Sequence, residues 1–152
     1  MNKKILNLIL LLILLSCNSN KPEIIQVNHY FGGTGFHLKY EIGNNNLIIK
    51  TNCDFEDCSE KIVYERKLSK TETKELINKI NFLQPDTLKN EYINEYILDG
   101  IYTEINFGKL IDTNKNKVII QNENVSFLDS LNKYIDKLIL ENKYKFKPLW
   151  KE

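Results

Sequence analysis

The chain has 152 residues, of which 21 are lysine or arginine and 20 are aspartate or glutamate, so its formal net charge is +1. Near-neutral, well-mixed charges give no basic surface for nucleic acid, and we expect no partner of that class. The length fits one domain that buries about two-thirds of its unfolded surface around a single core.

The first sixteen residues have the pattern of a secretory signal peptide. A positive head at Lys3 and Lys4 precedes a largely apolar run, residues 5–15, which ends at Ser16. A run of this length is too short to cross a bilayer, which takes about 18 to 20 apolar residues. We therefore expect residues 1–16 to be removed after export, which leaves 19 basic and 20 acidic residues and a net charge of −1.

The end of this segment, Leu14-Leu15-Ser16-Cys17, resembles the lipobox of bacterial lipoproteins. In that family the cysteine is acylated on sulfur, with palmitate-type chains, and becomes the mature N-terminus. The resemblance therefore implies lipidation at Cys17, and acyl chains at about 0.8 kcal/mol per buried methylene make such an anchor permanent. The alternative is an ordinary signal peptide with a chance cysteine.

The residues after the cysteine bear on where such an anchor lies. Asn18 is not the aspartate of the inner-membrane retention pattern, and residues 18–23 lack the acidic run that sends some lipoproteins to the cell exterior. The resemblance therefore implies a lipid-anchored protein of the outer membrane that faces the periplasm.

The body of the chain alternates between strand and helix patterns. Residues 17–23 form a polar tether, and apolar–polar alternation after it predicts strands over residues 24–29, 36–42, 47–53, 61–67, 101–107 and 118–121. Ser69 and Glu72 form a capping box before a predicted helix from about Lys70 to Leu83. A second amphipathic helix is predicted from about Val125 to Glu141, whereas residues 87–98 fit a helical turn or an irregular loop equally well.

This order predicts an α+β fold for residues 24–152 as a single domain, with a mainly antiparallel sheet and two amphipathic helices packed on one face. The layout resembles small domains of unknown function that occur in bacterial lipoproteins. That resemblance rests on the order of elements and implies no activity.

Two cysteines remain once Cys17 is acylated, and an exported pair is normally oxidised. We therefore predict a disulfide between Cys53 and Cys58. A redox or metal site is the alternative, but Asp54 and Glu56 lie between the cysteines and would oppose a thiolate. The four-residue spacing also differs from the two residues of thioredoxin-type motifs.

A polar segment matches part of an EF-hand calcium loop. The candidate ligands stand at its positions one, three, five and twelve, and they are Asp112, Asn114, Asn116 and Glu123. Lys117 stands where that loop needs glycine, and the flanking residues have strand patterns. We therefore prefer a polar hairpin turn, keep calcium as the alternative, and expect no metal or other cofactor.

The two histidines flank a glycine-rich loop. A hairpin symmetric about Gly33 would place His29 opposite His37, close enough to share a metal. A register slipped by one residue pairs Val27 with Leu38, buries the apolar set and puts the histidines on opposite faces. We predict the slipped register.

No Gly-x-Ser-x-Gly, His-Glu-x-x-His or Ser-x-x-Lys pattern occurs, so no catalytic residue is predicted. The leading hypothesis is a non-enzymatic, lipid-anchored module that binds a protein or an envelope component. Two alternatives are an inhibitor or immunity-type lipoprotein and a periplasmic hydrolase with a carboxylate-based site.

Overall fold

The computed structural model describes residues 23–43, 45–97 and 99–145. The strands are β1 (Glu23–Phe31), β2 (Phe36–Gly43), β3 (Asn46–Cys53), β4 (Lys61–Lys67), β5 (Glu91–Ile93), β6 (Ile101–Phe107) and β7 (Lys117–Gln121). The helices are α1 (Lys70–Phe82) and α2 (Ser126–Leu138), and single 3-10 turns cover Pro85–Thr87 and Asn142–Tyr144. The predicted signal peptide, Cys17 and the tether up to residue 22 lie outside the described residues. Within them, no helix is long and apolar enough to cross a membrane.

All seven strands form one sheet in the order β4-β3-β2-β1-β6-β7-β5. Neighbouring strands are antiparallel except β5, which runs parallel to β7. The predicted α+β class and mainly antiparallel sheet are therefore confirmed. The short strand β5 was not predicted, since residues 87–98 were expected to form a helical turn or an irregular loop; its parallel pairing with β7 makes it a strand.

One face of the sheet, the core face, carries the buried apolar side chains of the strands. They are Ile25, Val27, Tyr40, Ile42, Leu47, Ile49, Ile105, Val118 and Ile120. Leu76 of α1 and Leu131 of α2 belong to the same buried cluster. Full burial of one such side chain contributes about 1.5–3 kcal/mol, so this cluster is the main source of stability. The placement of both helices on one face stays a prediction, which the shared cluster favours.

The predicted start and end of α1 are confirmed. The hydroxyl of Ser69 accepts a hydrogen bond from the Glu72 backbone N–H at 3.2 Å, and the Glu72 carboxylate accepts one from the Ser69 N–H at 2.8 Å. These two bonds form the capping box, and the Arg66 guanidinium adds a contact to the same carboxylate. The chain turns at Gln84, which has a left-handed backbone (φ 49°), and Pro85 opens the next turn.

Helix α2 is shorter than predicted at its C-terminal end. Ile139 already has an extended backbone (φ −94°, ψ 115°). Arg66 donates a hydrogen bond to the Leu138 carbonyl, and the Leu140 N–H donates to the Tyr64 hydroxyl at 3.2 Å. Bonds to β4 therefore set the end of this helix, where sequence periodicity alone would have continued it.

The register predicted for the β1–β2 hairpin is wrong. Val27 pairs with Tyr40 instead of Leu38, and the loop holds four residues where the predicted register needs a two-residue turn. The four-residue loop closes because Gly33 and Gly35 adopt positive φ, 75° and 57°, and the Thr34 N–H donates to the Phe31 carbonyl at 3.3 Å. Because the partner of Val27 moves by two residues, every side chain keeps its predicted face.

The two ends of the sheet carry different loops. The proximal end is where β1 begins, and it also carries the β6–β7 connection, residues 108–116. The distal end is where β1 finishes. It carries the β1–β2 loop (32–35), the β3–β4 loop (54–60) and residues 94–97 with 99–100.

Candidate binding site

Three aromatic side chains lie next to one another on the open face of the sheet, opposite the core face, at the distal end. Tyr30 of β1 stands between its cross-strand partners His37 of β2 and Tyr102 of β6. Its ring centroid is 4.5 Å from that of His37 and 5.4 Å from that of Tyr102, both in edge-to-face geometry. We call these three residues the aromatic row. Asn52 of β3 and Gln121 of β7 extend it on either side.

The β3–β4 loop places a carboxylate beside the aromatic row. Cys53 and Cys58 are joined by a disulfide, as predicted, with Cα atoms 5.5 Å apart. The backbone N–H of Asp54 donates to the Gly35 carbonyl at 2.9 Å, which docks this loop on the β1–β2 loop. Oδ1 of Asp54 then lies 2.8 Å from Nε2 of His37. Because Asp54 is largely exposed, the contact orients the imidazole and adds at most about 1 kcal/mol of stability.

Two cavities lie on either side of the wall formed by Tyr30 and His37. The larger, about 350 Å³, extends from the aromatic row to the glycines of the distal loops, with Asp54 at its margin. The smaller, about 150 Å³, lies over β2 and β3. The larger volume is near the lower limit of about 300 Å³ for small-molecule sites, so the two cavities together fit a small or a narrow, extended ligand.

Each cavity contains a buried acceptor that no described residue satisfies. Asn28, in the smaller cavity, is 9% exposed, and its Oδ1 accepts no hydrogen bond from the described part of the chain. Oδ1 of Asn122, which lines the larger cavity, is in the same condition, although its Nδ2 donates to the Ile97 carbonyl at 2.7 Å. An unsatisfied buried acceptor costs about 1–3 kcal/mol, and in this conformation both oxygens are closed to solvent.

The charges around the smaller cavity balance one another. Lys50 lies 3.0 Å from both Glu41 and Glu60, and Lys39 lies 2.7 Å from Glu41. Burial alone would raise the pKa of Glu41, but the two lysines outweigh it and lower that pKa. Burial would likewise lower the pKa of Lys50, and the two glutamates raise it instead. The two lysines and two glutamates therefore pair with one another at close range.

A larger depression of about 480 Å³ lies beside the β6–β7 connection, away from the aromatic row. Its polar groups serve loop packing. Oδ1 of Asp86 accepts from the Thr113 hydroxyl at 2.8 Å and from the Asn114 N–H at 2.9 Å. The Lys115 ammonium donates to Oδ1 of Asn90 at 2.8 Å and to a backbone carbonyl. We therefore regard the distal cavities as the stronger candidate site.

The candidate calcium ligands are not brought together. Asp112, Asn114 and Asn116 lie in the β6–β7 connection at the proximal end, whereas Glu123 follows β7 at the distal end. The five residues of β7 alone span roughly 17 Å, because a strand rises about 3.3 Å per residue. The segment is the polar hairpin connection that the sequence favoured. In the part of the chain that the structure describes, no group of three or more His, Cys, Asp or Glu residues could hold a metal ion.

The two histidines have different environments, and they lie on opposite faces as predicted. His29 is fully buried on the core face, where its Nδ1 lies 2.9 Å from the Thr103 hydroxyl and its ring meets the edge of Tyr40. Burial lowers the pKa of His29 to about 3, so the ring is neutral. His37 alone faces the open side, in the aromatic row.

Sequence reasoning did not identify the aromatic row. Strand alternation places Tyr30, His37 and Tyr102 on polar faces, and that signal was available. The pairing of β1 with β6, which brings Tyr102 to Tyr30, connects segments far apart in the chain and leaves no local pattern.

The fold and the site together define an α+β domain whose open sheet face carries an aromatic-walled depression at one end. The chain matches no protein-family model and no curated protein.

Proposed function

We propose that the protein is a non-enzymatic, lipid-anchored module of the outer membrane that binds a protein or an envelope component through its distal end. The observation that carries the proposal is where its exposed apolar side chains lie. Of the eight large ones among the described residues, six lie on loops or strand segments at the distal end. They are Phe36, Phe55, Ile62, Ile93, Tyr96 and Ile97. Exposed apolar side chains along one end of the sheet favour that end as the interaction surface.

The direction of β1 supports this orientation. Cys17 precedes Glu23 by six residues, so the tether cannot reach further than about 22 Å. From Glu23, the nine residues of β1 run to the distal end over about 30 Å. An acyl group on Cys17 would therefore hold the proximal end toward the membrane and turn the distal end outward.

Neither of the two carboxyl groups with a shifted pKa is suited to act as a general acid. The Ser69 backbone N–H, together with Arg66, lowers the pKa of Glu72 to about 2, and the pKa of Glu41 is lowered as well. A general acid in such a hydrolase needs a raised pKa, so neither group suits that role. Inhibition of a partner enzyme, as in immunity-type lipoproteins, would be one form of the binding proposed.

Site-specific photo-crosslinking in intact cells tests the proposal. Benzoylphenylalanine replaces Phe55 at the distal end or, as the matched control, Phe82 on α1. The two positions are 65% and 82% exposed, so accessibility favours the control. We expect a discrete crosslinked product from position 55, none from position 82, and loss of the product on Cys17→Ala.

Mass spectrometry of the crosslinked product identifies what was captured. Mass spectrometry of the protein itself shows whether Cys17 carries lipid. Crosslinking that is equal at the two positions, or absent from both in folded and lipidated protein, would overturn the proposal.

A further inference from the structure

We infer that the aromatic row and the two cavities beside it bind a neutral carbohydrate chain, with one sugar unit on each side of the wall formed by Tyr30 and His37. This inference rests on the proposed function and names the ligand class of its distal site.

The charges at the site argue for a neutral ligand. The two lysines of the smaller cavity are matched by Glu41 and Glu60, and the Asp54 carboxylate contacts the His37 ring at 2.8 Å. A phosphate or a cationic peptide would have to displace one of these partners and leave the other uncompensated. A neutral ligand leaves both sets of contacts intact.

The hydrogen-bonding groups argue for a ligand that is rich in hydroxyls. Asn28 lines the smaller cavity and Asn122 lines the larger one. The side-chain amides of Asn52 and Gln121 border the same cavities and can both donate and accept. Sugar hydroxyls also do both, so one ligand class satisfies the whole set.

The aromatic rings and Gly33 provide surfaces against which a sugar ring can pack. Sugar rings present apolar C–H faces, which pack against aromatic rings, and Tyr30 and Tyr102 both line the larger cavity. Gly33 lines that cavity too, and a Cβ placed on it would meet no atom within 4 Å. The backbone is therefore open to a ring that lies across it.

The shape favours a chain over a single sugar. The two cavities, about 350 and 150 Å³, share Tyr30 and His37 as a common wall. Two linked units could each fill one cavity, with the linkage crossing the wall. The distal end would carry this site away from the anchored end, toward glycan in the surrounding envelope.

The test is a binding titration of the full-length lipoprotein, kept in a detergent without a sugar headgroup so that the detergent does not compete. The probes are the tetrasaccharides of N-acetylglucosamine, maltose-type glucose and cellulose-type glucose, followed by ligand-observed NMR. We expect saturable binding of at least one probe, weakened about three- to tenfold by Tyr30→Ala and by Tyr102→Leu, which keeps bulk but removes the ring. Phe82→Ala is the matched control and should bind as the wild type does.

The outcomes separate this inference from the proposed function. If position 55 crosslinks specifically in cells but none of the probes binds, the carbohydrate inference falls and the binding function stands. If a probe binds but Tyr30→Ala and Tyr102→Leu, both folded by their melting curves, bind it as tightly as the wild type, the site assignment is overturned.

Discussion

Nδ1 of His29 lies 2.9 Å from the hydroxyl oxygen of Thr103, within the core face of the sheet. The contact joins β1 to β6 at a position where solvent does not reach the imidazole. A neutral ring is therefore part of the folded structure, and its protonation competes with folding.

We expect acid to destabilise the protein through His29. Its pKa is about 3 when folded and about 6.5 when unfolded, so between these values the unfolded chain binds a proton that the folded chain does not. The free energy of unfolding should therefore fall as the pH drops below about 6.5, by roughly 1 kcal/mol per pH unit, until about pH 3. Above about pH 6.5 this group has no effect.

Urea unfolding at about pH 7.5 and about pH 4.5 measures this effect. His29→Gln should lose stability less steeply between the two pH values than the wild type does, because glutamine does not titrate. Equal slopes for His29→Gln and the wild type would show that His29 does not couple folding to pH.

The double variant Cys53→Ser/Cys58→Ser should be less stable by about 2 kcal/mol, the chain-entropy value for so short a loop. It should also loosen Asp54, which the closed loop holds beside His37. Urea unfolding with and without a reductant gives the measurement, since reduced wild type should match the variant. Cys17→Ser serves as the control, because that residue lies outside the disulfide. A loss below about 0.5 kcal/mol would mean that the docked loop keeps its shape without the bond.

The capping box should contribute about 1 kcal/mol through Ser69. Ser69→Ala removes the hydroxyl that accepts from the Glu72 N–H, and thermal or urea unfolding measures the loss. Ser130→Ala, on the exposed side of α2, is the matched control and should change little, since its hydroxyl only bonds back to the Ser126 carbonyl. The contribution of Glu72 to the free energy of unfolding should be full above about pH 4.5 and fade as the pH falls toward 2, because folding lowers the pKa of its carboxyl group. An equal loss in both serine variants would contradict the cap.

Two glycines at the distal end should respond differently to alanine. A Cβ on Gly100 would lie 1.6 Å from Oδ1 of Asn122, so Gly100→Ala forces backbone or side-chain movement and should cost about 1–3 kcal/mol or more. Gly33→Ala meets no atom but strains a backbone with φ +75°, which costs about 1 kcal/mol. Asn122→Gly should rescue most of the Gly100→Ala loss, because it removes the obstructing amide and suits the positive φ at that position. If rescue failed, the clash would not be the cause of the loss.

Local patterns predicted the elements of this fold better than their assembly. Ser69, Glu72 and the apolar spacing after them defined α1, since a capping box and a 3.6-residue period are properties of one segment. Alternation also assigned the faces of β1 and β2 correctly. It could not fix their register, because two registers that differ by two residues bury the same side chains, and alternation does not show the conformation that Gly33 and Gly35 give to the loop. The candidate site was missed for the same reason, since the contacts of Tyr30 with Tyr102 and of His37 with Asp54 both arise from tertiary pairing.

The strand order leaves β4 and β5 at the edges of the sheet. β4 carries Lys61, Glu65 and Lys67 on exposed positions, and β5 is only three residues long. A second copy that approached β4 would meet charged side chains, and one that approached β5 would find too few free backbone groups. Both features protect a sheet edge against strand addition. Copies at high concentration would therefore resist joining into a continuous sheet.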